Sequence, residues 1–531
     1  MTAQQRFERV NGLVDRHPVI GIMGLSLLIK LILLSFDQVI NPDGVLYIAA
    51  AQQMADGNMA GALKLYPMPS YPLLLAFVHL IIPDWITTAR IIGTAALVLA
   101  SIPIYGITRI LFNRQAAFWA TLCLALTPEA NDQALMVIRD PVFLLAALTA
   151  VFFLLKGIRR QRLKMVVLAL FFIGLSFLFR VEGVVFAATP VLFFTWQTFW
   201  AKDDALKRFT RKSLLVWIGI PLVLMATAAL ILGPKLLGQN RVGELMAELG
   251  HIAQLRAFDN YQEIYRFFQT IETEPPFSGS SKSLPAIVRH WMPLIYLIGL
   301  LEYFIKQIFP LFLLPLVFAG HRYISSADRK VAIETQFILL TCLSYMLFIL
   351  YSFITRDFIQ GRFLFTPAVL LYPWVGHGIT LILTWLKGIR FARILQIAVV
   401  LALIVIPCVK SVRAVIKSDL GVLKVGRYIS QDTSLADAKI LFSDTRQWLY
   451  GNRPGAYQKI RSDAFAVTRN IEKGDIEAIE ELAQKDNAEA LVLAINFNKA
   501  GRIIPEFQHY RIYKQFPSRK GVTVIYVMRE P

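Results

Sequence analysis

What most constrains this chain is a recurrence: through its first 410 residues, apolar runs return again and again at lengths that cross about 30 Å of hydrocarbon. In that environment every backbone N–H and C=O must find its partner within the chain, so such runs fold as helices. The expected fold class is an α-helical polytopic membrane protein. The runs place about eleven spanning helices, near 18–37, 86–112, 115–130, 141–157, 164–179, 183–200, 213–232, 296–320, 331–354, 363–387 and 391–410. Of the 531 residues 56% are hydrophobic and 17% charged, outside the range of ordinary soluble proteins. The first run, 18-PVIGIMGLSLLIKLILLSF-36, follows a polar start and precedes no small-residue cleavage site, so it is expected to remain in the mature protein.

Lys and Arg in short loops are retained on the cytoplasmic side, which sets orientation. The basic clusters 156-KGIRRQRLK-164, 202-KDDALKRFTRK-212, 322-RYISSADRK-330 and 387-KGIRFAR-393, with Arg6, Arg9 and Arg16, all fall on one face of the eleven-helix arrangement. The expected topology has a cytoplasmic N-terminus, with the C-terminal region extracytoplasmic. The net charge of +19 then reflects cytoplasmic loops that meet anionic lipid headgroups, and no nucleic-acid partner is inferred from it. Cys123, Cys342 and Cys408 lie in or beside helices, far apart in sequence, and offer neither a disulfide framework nor a metal motif. No His-Glu-x-x-His spacing occurs, so a divalent metal has no clear ligand motif here. A Walker-type phosphate loop is absent too, which argues against ATP as substrate.

Three regions remain outside. The first, 38–85, carries the amphipathic stretch 45-VLYIAAAQQMADG-57 and the short apolar stretch 66-YPMPSYPLLLAFVHLIIP-83, both suited to helices at the membrane surface. The second, 233–290, contains the turn-rich 272-ETEPPFSGSSKSLP-285. The third, 411–531, alternates a helical segment, 470-NIEKGDIEAIEELAQKD-486, with strand-like runs at 439–444, 490–495 and 522–528, and reads as a small α/β domain. The expected organisation is therefore a transmembrane module over 1–410 followed by an extracytoplasmic α/β domain over 411–531.

Ionisable residues gather at the outer helix ends: Asp43; Glu129, Asp132, Arg139 and Asp140; Arg180 and Glu182; Arg356, Asp357 and Arg362. Taken singly, each is accounted for by helix capping or interfacial placement. Taken together, charges at the edge of the bilayer mark a substrate path or a catalytic centre.

The order of these elements resembles the GT-C superfamily of integral membrane glycosyltransferases, in particular the bacterial branch related to aminoarabinose transferases and protein O-mannosyltransferases, glycosyltransferase family 39-like. The residues that carry the resemblance are 43-DGVLYIAAAQQMADG-57, which fits D-G-x-x-Y-x-x-x-A-x-x-x-x-x-G; the Tyr/Pro-rich 66-YPMPSYPLLLAF-77; the helix 89-ARIIGTAALVLASIPIYGITRILFNR-114; 180-RVEG-183, similar to R-P-E-G; 362-RFLFTPAVLLY-372, similar to R-Y-L-L-P; and 440-ILFSDTRQWLYGNRPG-455 in the tail. Val181 stands where that family has proline, and Asn131-Asp132 departs from its second acidic motif. The resemblance implies a GT-C fold and transfer of a sugar from a polyprenyl-phosphate donor to an extracytoplasmic acceptor, whether lipid, glycan or protein.

That chemistry needs a carboxylate to take the acceptor hydroxyl proton while the lipid phosphate leaves, and Asp43 is the candidate general base. The leaving phosphate calls for cations of bidentate geometry, which favours arginine. Arg362 and Arg180 stand first, then Arg356 and Arg139. Tyr47, Asp140, Glu182, Tyr66 and Tyr71 are the candidates for binding or orienting substrate. The rival reading is a transporter or lipid flippase without transferase activity, for which inverted repeats and helices broken near the midplane would speak; no convincing repeat is present.

Overall fold

In the computed structural model of the chain, the described residues are 18–36, 39–237, 258–275, 277, 283–325, 332–416, 420–453, 455–497, 504–518 and 521–529. Arg6, Arg9 and Arg16, most of the turn-rich stretch at 276–282 and the basic residues Arg329 and Lys330 lie outside them.

The apolar runs are helices. In chain order these are α1 (Pro18–Leu34), α2 (Pro42–Ala55), α3 (Met59–Leu65), α4 (Ser70–His79), α5 (Trp85–Leu99), α6 (Ser101–Leu111), α7 (Arg114–Leu126), α8 (Pro128–Leu135), α9 (Asp140–Arg160), α10 (Leu163–Phe179), α11 (Gly183–Trp200) and α12 (Asp204–Leu237). There follow α13 (Asp259–Thr273), α14 (Leu284–Ile308), α15 (Pro310–Ser325), α16 (Ile333–Arg356), α17 (Gly361–Leu370), α18 (Tyr372–Leu386) and α19 (Ala392–Ile416). The chain is thus a polytopic membrane protein. Among the described residues six helices, counting Trp85–Leu111 as one, are long and apolar enough to cross a bilayer, and a seventh is counted if α17 and α18, bent by 56°, form one span. Pro367 within α17 and Pro373 in the first turn of α18 account for that bend, because each removes an N–H from the helical ladder.

The local chemistry explains these boundaries. Helix α9 opens on Asp140 and closes on Arg159 and Arg160, charges that complement the two ends of its dipole. Its residues Phe143, Ala147, Val151, Leu154 and Ile158 recur at helical spacing and are buried. Outward-facing α19 residues such as Ile394, Ile397, Leu401 and Val405 are exposed and apolar, as a lipid-facing surface requires. Not every expected span is one helix. The run 296–320 is not a single helix, because the chain breaks at Phe309 (φ 67) and restarts at Pro310. A residue before proline is disfavoured in the helical region, and proline is accommodated in a first turn, so Phe309-Pro310 is a natural break that an apolarity reading passes over.

By packing, the chain divides into two compact units, one of Met1–Ser26, Ala96–Ala130 and Val142–Ile406, the other of Leu27–Ala95, Asn131–Pro141 and Pro407–Pro531. In the first, α7 packs on α18, α15 on α18, and α11 on α12. In the second, the segment 38–85 joins the C-terminal region: α2 packs on α3, on α4 and on α21 (Thr445–Tyr450) of the tail.

The tail is the small α/β domain expected. Helix α20 (Gly421–Gln431) precedes β1 (Ile440–Phe442), α21, α22 (Tyr457–Lys473), α23 (Ile476–Lys485), β2 (Ala490–Asn496), β3 (Tyr510–Pro517) and β4 (Gly521–Met528). The strand order is β1-β2-β4-β3, with β1 parallel to β2 and the other pairs antiparallel. Val467, Ile471, Ile479 and Ala483 from α22 and α23 cover Leu491, Leu493, Ile495 and Val524 of the sheet. The expected helix 470–486 is divided at Gly474 into α22 and α23. Strand β3 escaped the sequence reading because it is an exposed edge, whose Arg511 and Lys514 interrupt the apolar signal.

Beside that edge Asp432 accepts hydrogen bonds from Ser434 Oγ at 2.6 Å and Tyr513 Oη at 2.9 Å. The Ser434 hydroxyl first, then Tyr428, holds its carboxyl down at about 2, against an ordinary value of 3.8. A folded-state value below the unfolded one contributes stability above about pH 4, which is lost as the pH falls toward 2. Asp432→Asn is therefore expected to lower the unfolding midpoint at pH 6 and to leave it unchanged at pH 2. Melts of both proteins at the two pH values check this.

Candidate functional site

Asp43 sits in the first turn of α2, behind Asn41 and Pro42. The N–H groups of a first turn lack helical partners, and with the dipole they favour a carboxylate there. Asn41 also fixes what lies opposite, since its Oδ1 accepts from the Val137 N–H at 3.0 Å and pins the turn after α8 against α2. That approach depends on Gly44. A Cβ at this position would fall 2.7 Å from Val137 Cβ, inside any real contact, so the Asp-Gly pair couples the acid to a glycine for a steric reason.

The pinned turn leads directly to Arg139 and Asp140. Arg139 Nη1 donates to Tyr66 Oη, lies 3.0 Å from Met68 Sδ, and its guanidinium sits 5.5 Å from the Tyr66 ring centre. Tyr47, one turn after Asp43, meets Tyr66 edge-on at 5.1 Å and Tyr71 at 5.3 Å. Burial above all pushes the Tyr47 hydroxyl up; Arg139 works against that shift, while the charges of Asp140 and Asp43 add to it. Tyr71 is 1% exposed, its hydroxyl has no hydrogen-bond partner among the described residues, and burial pushes it well above the usual phenol range. Both stay neutral O–H groups. One unit thus gathers six candidates, Asp43, Tyr47, Tyr66, Tyr71, Arg139 and Asp140, into a carboxylate-arginine-phenol site.

Gly44→Ala is expected to force Val137 and the turn after it away from α2, at a cost of about 1–3 kcal/mol in stability, and to lower activity beyond what the lost stability explains. Gly24→Ala is the control, since nothing lies within 4 Å of its added Cβ. Melting midpoints and transfer rates of the two variants check this.

The other unit holds a second constellation. Arg180, 4% exposed, donates from Nε to Glu182 Oε2 at 3.0 Å and from Nη2 to Oε1, a two-pronged ion pair. Its guanidinium lies 4.8 Å from the Phe363 ring and 5.8 Å from Phe143. Arg362, in the first turn of α17, lies 5.7 Å from that same Phe363 ring. Phe363 therefore stands between the two arginines placed first for a leaving phosphate. Arg356, exposed in the last turn of α16, is not brought to them by any described contact. The adjoining Asp357, in the left-handed region at φ 49, accepts from Tyr296 Oη at 2.8 Å.

Sequence reasoning missed Lys30. It is 1% exposed within α1 and donates to Asn131 Oδ1 at 3.0 Å, and Asn131 Nδ2 donates to Ser411 Oγ at 3.2 Å. This chain of polar groups ties α1, α8 and α19 together and so holds the helix that leads into the Arg139 turn. The available signal was the lone charge inside an apolar run, which demands a partner. Among the described residues no group of three His, Cys, Asp or Glu side chains is placed to hold a metal ion.

Residues 67–231 match the family described as dolichyl-phosphate-mannose-protein mannosyltransferase. No curated protein matches the sequence. Among solved structures the chain is similar to ArnT from Cupriavidus metallidurans in the apo state, with a TM-score of 0.53 and 13% identity over 96% of this chain and 98% of that one. The same protein bound to undecaprenyl phosphate gives 0.51 and 13%, over 96% and 97%. The oligosaccharyltransferase of Archaeoglobus fulgidus gives 0.52 and 13%, over 90% of this chain and 69% of that one. At such identities the likeness is one of fold, and the fold is that of the GT-C superfamily, a helical membrane bundle with a small sheet domain.

Proposed function

We propose that this chain, whose fold is that of the GT-C glycosyltransferases, transfers a sugar from a polyprenyl-phosphate donor to an extracytoplasmic acceptor, with Asp43 as general base. The observation that carries this reading is the arrangement around Asp43, where a carboxylate at a helix N-terminus shares one compact site with Arg139, Asp140 and three tyrosines. The fold adds support, since a protein similar to it along nearly its whole length has been solved with undecaprenyl phosphate bound.

In this mechanism the acceptor hydroxyl gives its proton to Asp43 as its oxygen attacks the anomeric carbon. The bond from that carbon to the phosphate oxygen breaks, and polyprenyl phosphate leaves with the electron pair. Arginines stabilise the charge gathering on the phosphate. Arg180 and Arg362 are assigned that role first, and Glu182 holds Arg180 in its orientation. Arg139 is assigned to the donor sugar-phosphate beside Tyr66. The proposed setting is the inner membrane with the site on the extracytoplasmic face.

The test is reconstitution of the protein in proteoliposomes with a lipid-linked labelled sugar on the outer side and a water-soluble acceptor fraction. Label leaving the lipid phase for the acceptor supports the transferase. Label that crosses the bilayer still attached to its lipid contradicts it and supports a flippase.

A further inference from the structure

Just ahead of Asp43, both backbone polar groups of Ile40 are taken by the tail. The Ile40 N–H donates to Tyr450 Oη at 2.8 Å, and its C=O accepts from Arg446 Nη1 at 3.4 Å. Ile40 is 1% exposed, so these groups cannot turn to solvent instead. The next residue is held by its own surroundings: Asn41 Oδ1 accepts from the Val137 N–H at 3.0 Å, and the Asn41 C=O accepts from the Gly44 N–H at 3.0 Å. The peptide that enters α2 is therefore fixed at two successive residues. All of these groups belong to the unit of Leu27–Ala95, Asn131–Pro141 and Pro407–Pro531.

The tail holds Ile40 from a firm footing. Ser443 joins the sheet, its N–H donating to the Val492 C=O at 2.9 Å and its Oγ accepting from the Ala494 N–H at 2.7 Å. Asp444 then caps α21, accepting from the Arg446 N–H at 2.8 Å, while Gln447 Oε1 accepts from the Asp444 N–H at 3.2 Å. The same carboxylate pairs with the Arg446 guanidinium, whose Nε donates to it at 2.9 Å, and this orients the Nη1 that reaches Ile40. Tyr450 ends α21 and passes close to α20, where Gly426 leaves room for it: a Cβ there would fall 2.3 Å from Tyr450 Cβ. A line of contacts thus runs from β2 through α21 to the start of α2. The tail motif 440-ILFSDTRQWLYGNRPG-455, to which the transfer chemistry gave no part, supplies Ser443, Asp444, Arg446, Gln447 and Tyr450 of that line. A second tail tyrosine lies in the field of the base. Burial pushes the Tyr457 phenol up, Arg461 works against that shift, and the charge of Asp43 adds to it.

We infer that Tyr450 and Arg446 are positioning residues for the general base: through α21 the tail fixes the peptide that enters α2, and so sets where the Asp43 carboxylate lies. The inference rests on the transferase reading and deepens it, because it gives the C-terminal domain a part in the chemical step.

The test uses variants of the full-length protein in proteoliposomes. Tyr450→Phe keeps the ring and removes the acceptor from the Ile40 N–H. It is expected to lower kcat about 10–100-fold, the scale of a misplacement near 1 Å at a reacting group, with KM for the donor unchanged. Arg446→Lys keeps the charge but loses the fork that reaches both Asp444 and Ile40, and is expected to act in the same direction with a smaller effect. Tyr513→Phe is the control, since its hydroxyl donates to Asp432 at 2.9 Å elsewhere in the tail; its kcat is expected to stay that of the unchanged protein. Introduced into the Asp43→Asn protein, Tyr450→Phe is expected to cost nothing further, because a residue that acts through the base has no effect once the base is gone. Amide exchange of the peptide spanning Ile40, read on the same proteins, is expected to be at least about threefold faster in Tyr450→Phe and unchanged in Tyr513→Phe. An unchanged kcat in both Tyr450→Phe and Arg446→Lys, an equal loss in Tyr450→Phe and Tyr513→Phe, a full further loss on the Asp43→Asn background, or unchanged exchange at Ile40 overturns the inference. Absence of sugar transfer by the unchanged protein overturns the transferase reading instead, and exchange at Ile40 still decides whether the tail holds that peptide.

Discussion

Asp43→Asn is expected to lower the transfer rate by about 10²–10⁴-fold, the range that a positioned general base contributes, while donor affinity stays near that of the unchanged protein. Asparagine keeps the shape and one acceptor oxygen but cannot take a proton, so the loss falls on the chemical step. The surrounding structure makes the comparison clean, because the Asn41–Val137 bond and the Gly44 contact that shape the site do not involve the Asp43 side chain. Turnover in proteoliposomes and equilibrium binding of the polyprenyl-phosphate sugar, measured on the same two proteins, separate the effects. A variant that retains both binding and turnover removes Asp43 from the base role.

The second large effect is expected at Arg180. Its side chain and that of Glu182 are 4% and 13% exposed, and the two form an ion pair. Arg180→Ala breaks this buried ion pair, which costs about 3–5 kcal/mol, and it removes a cation assigned to the leaving phosphate. Arg180→Lys keeps the charge but not the two-pronged geometry, and recovers only part of either loss. The double variant Arg180→Met/Glu182→Met separates the two roles. Removing both members of a buried pair is often close to neutral for stability, so its melting midpoint is expected to approach that of the unchanged protein while transfer stays low. Recovery of transfer together with stability would show the pair to be structural only.

Much of this was legible in the sequence, for identifiable reasons. Spanning helices announce themselves because hydrocarbon tolerates few polar groups, and α5 through α11 begin and end close to where apolarity and charge place them. Asp43, Gly44 and Tyr47 stood out through the resemblance of 43-DGVLYIAAAQQMADG-57 to a short family pattern, and the close approach of Gly44 to Val137 came only with the structure. What was not legible depends on distant partners or on backbone breaks. The break at Phe309 is hidden inside a mostly apolar stretch, and edge strand β3 carries too many charges to resemble a strand. Lys30 was in plain view, but only the fold shows that Asn131, a hundred residues away, accepts its hydrogen bond, and that Ser411 lies beyond.

The most direct test of the central claim is the stoichiometry of the reaction. The protein in proteoliposomes is given a polyprenyl-phosphate sugar and acceptor, and both the new glycosidic bond and the free polyprenyl phosphate are quantified, together with the anomeric configuration of the product. One polyprenyl phosphate released per bond formed, with inversion at the anomeric carbon, is the result predicted. Intact donor recovered from the opposite leaflet, with neither product formed, would contradict it.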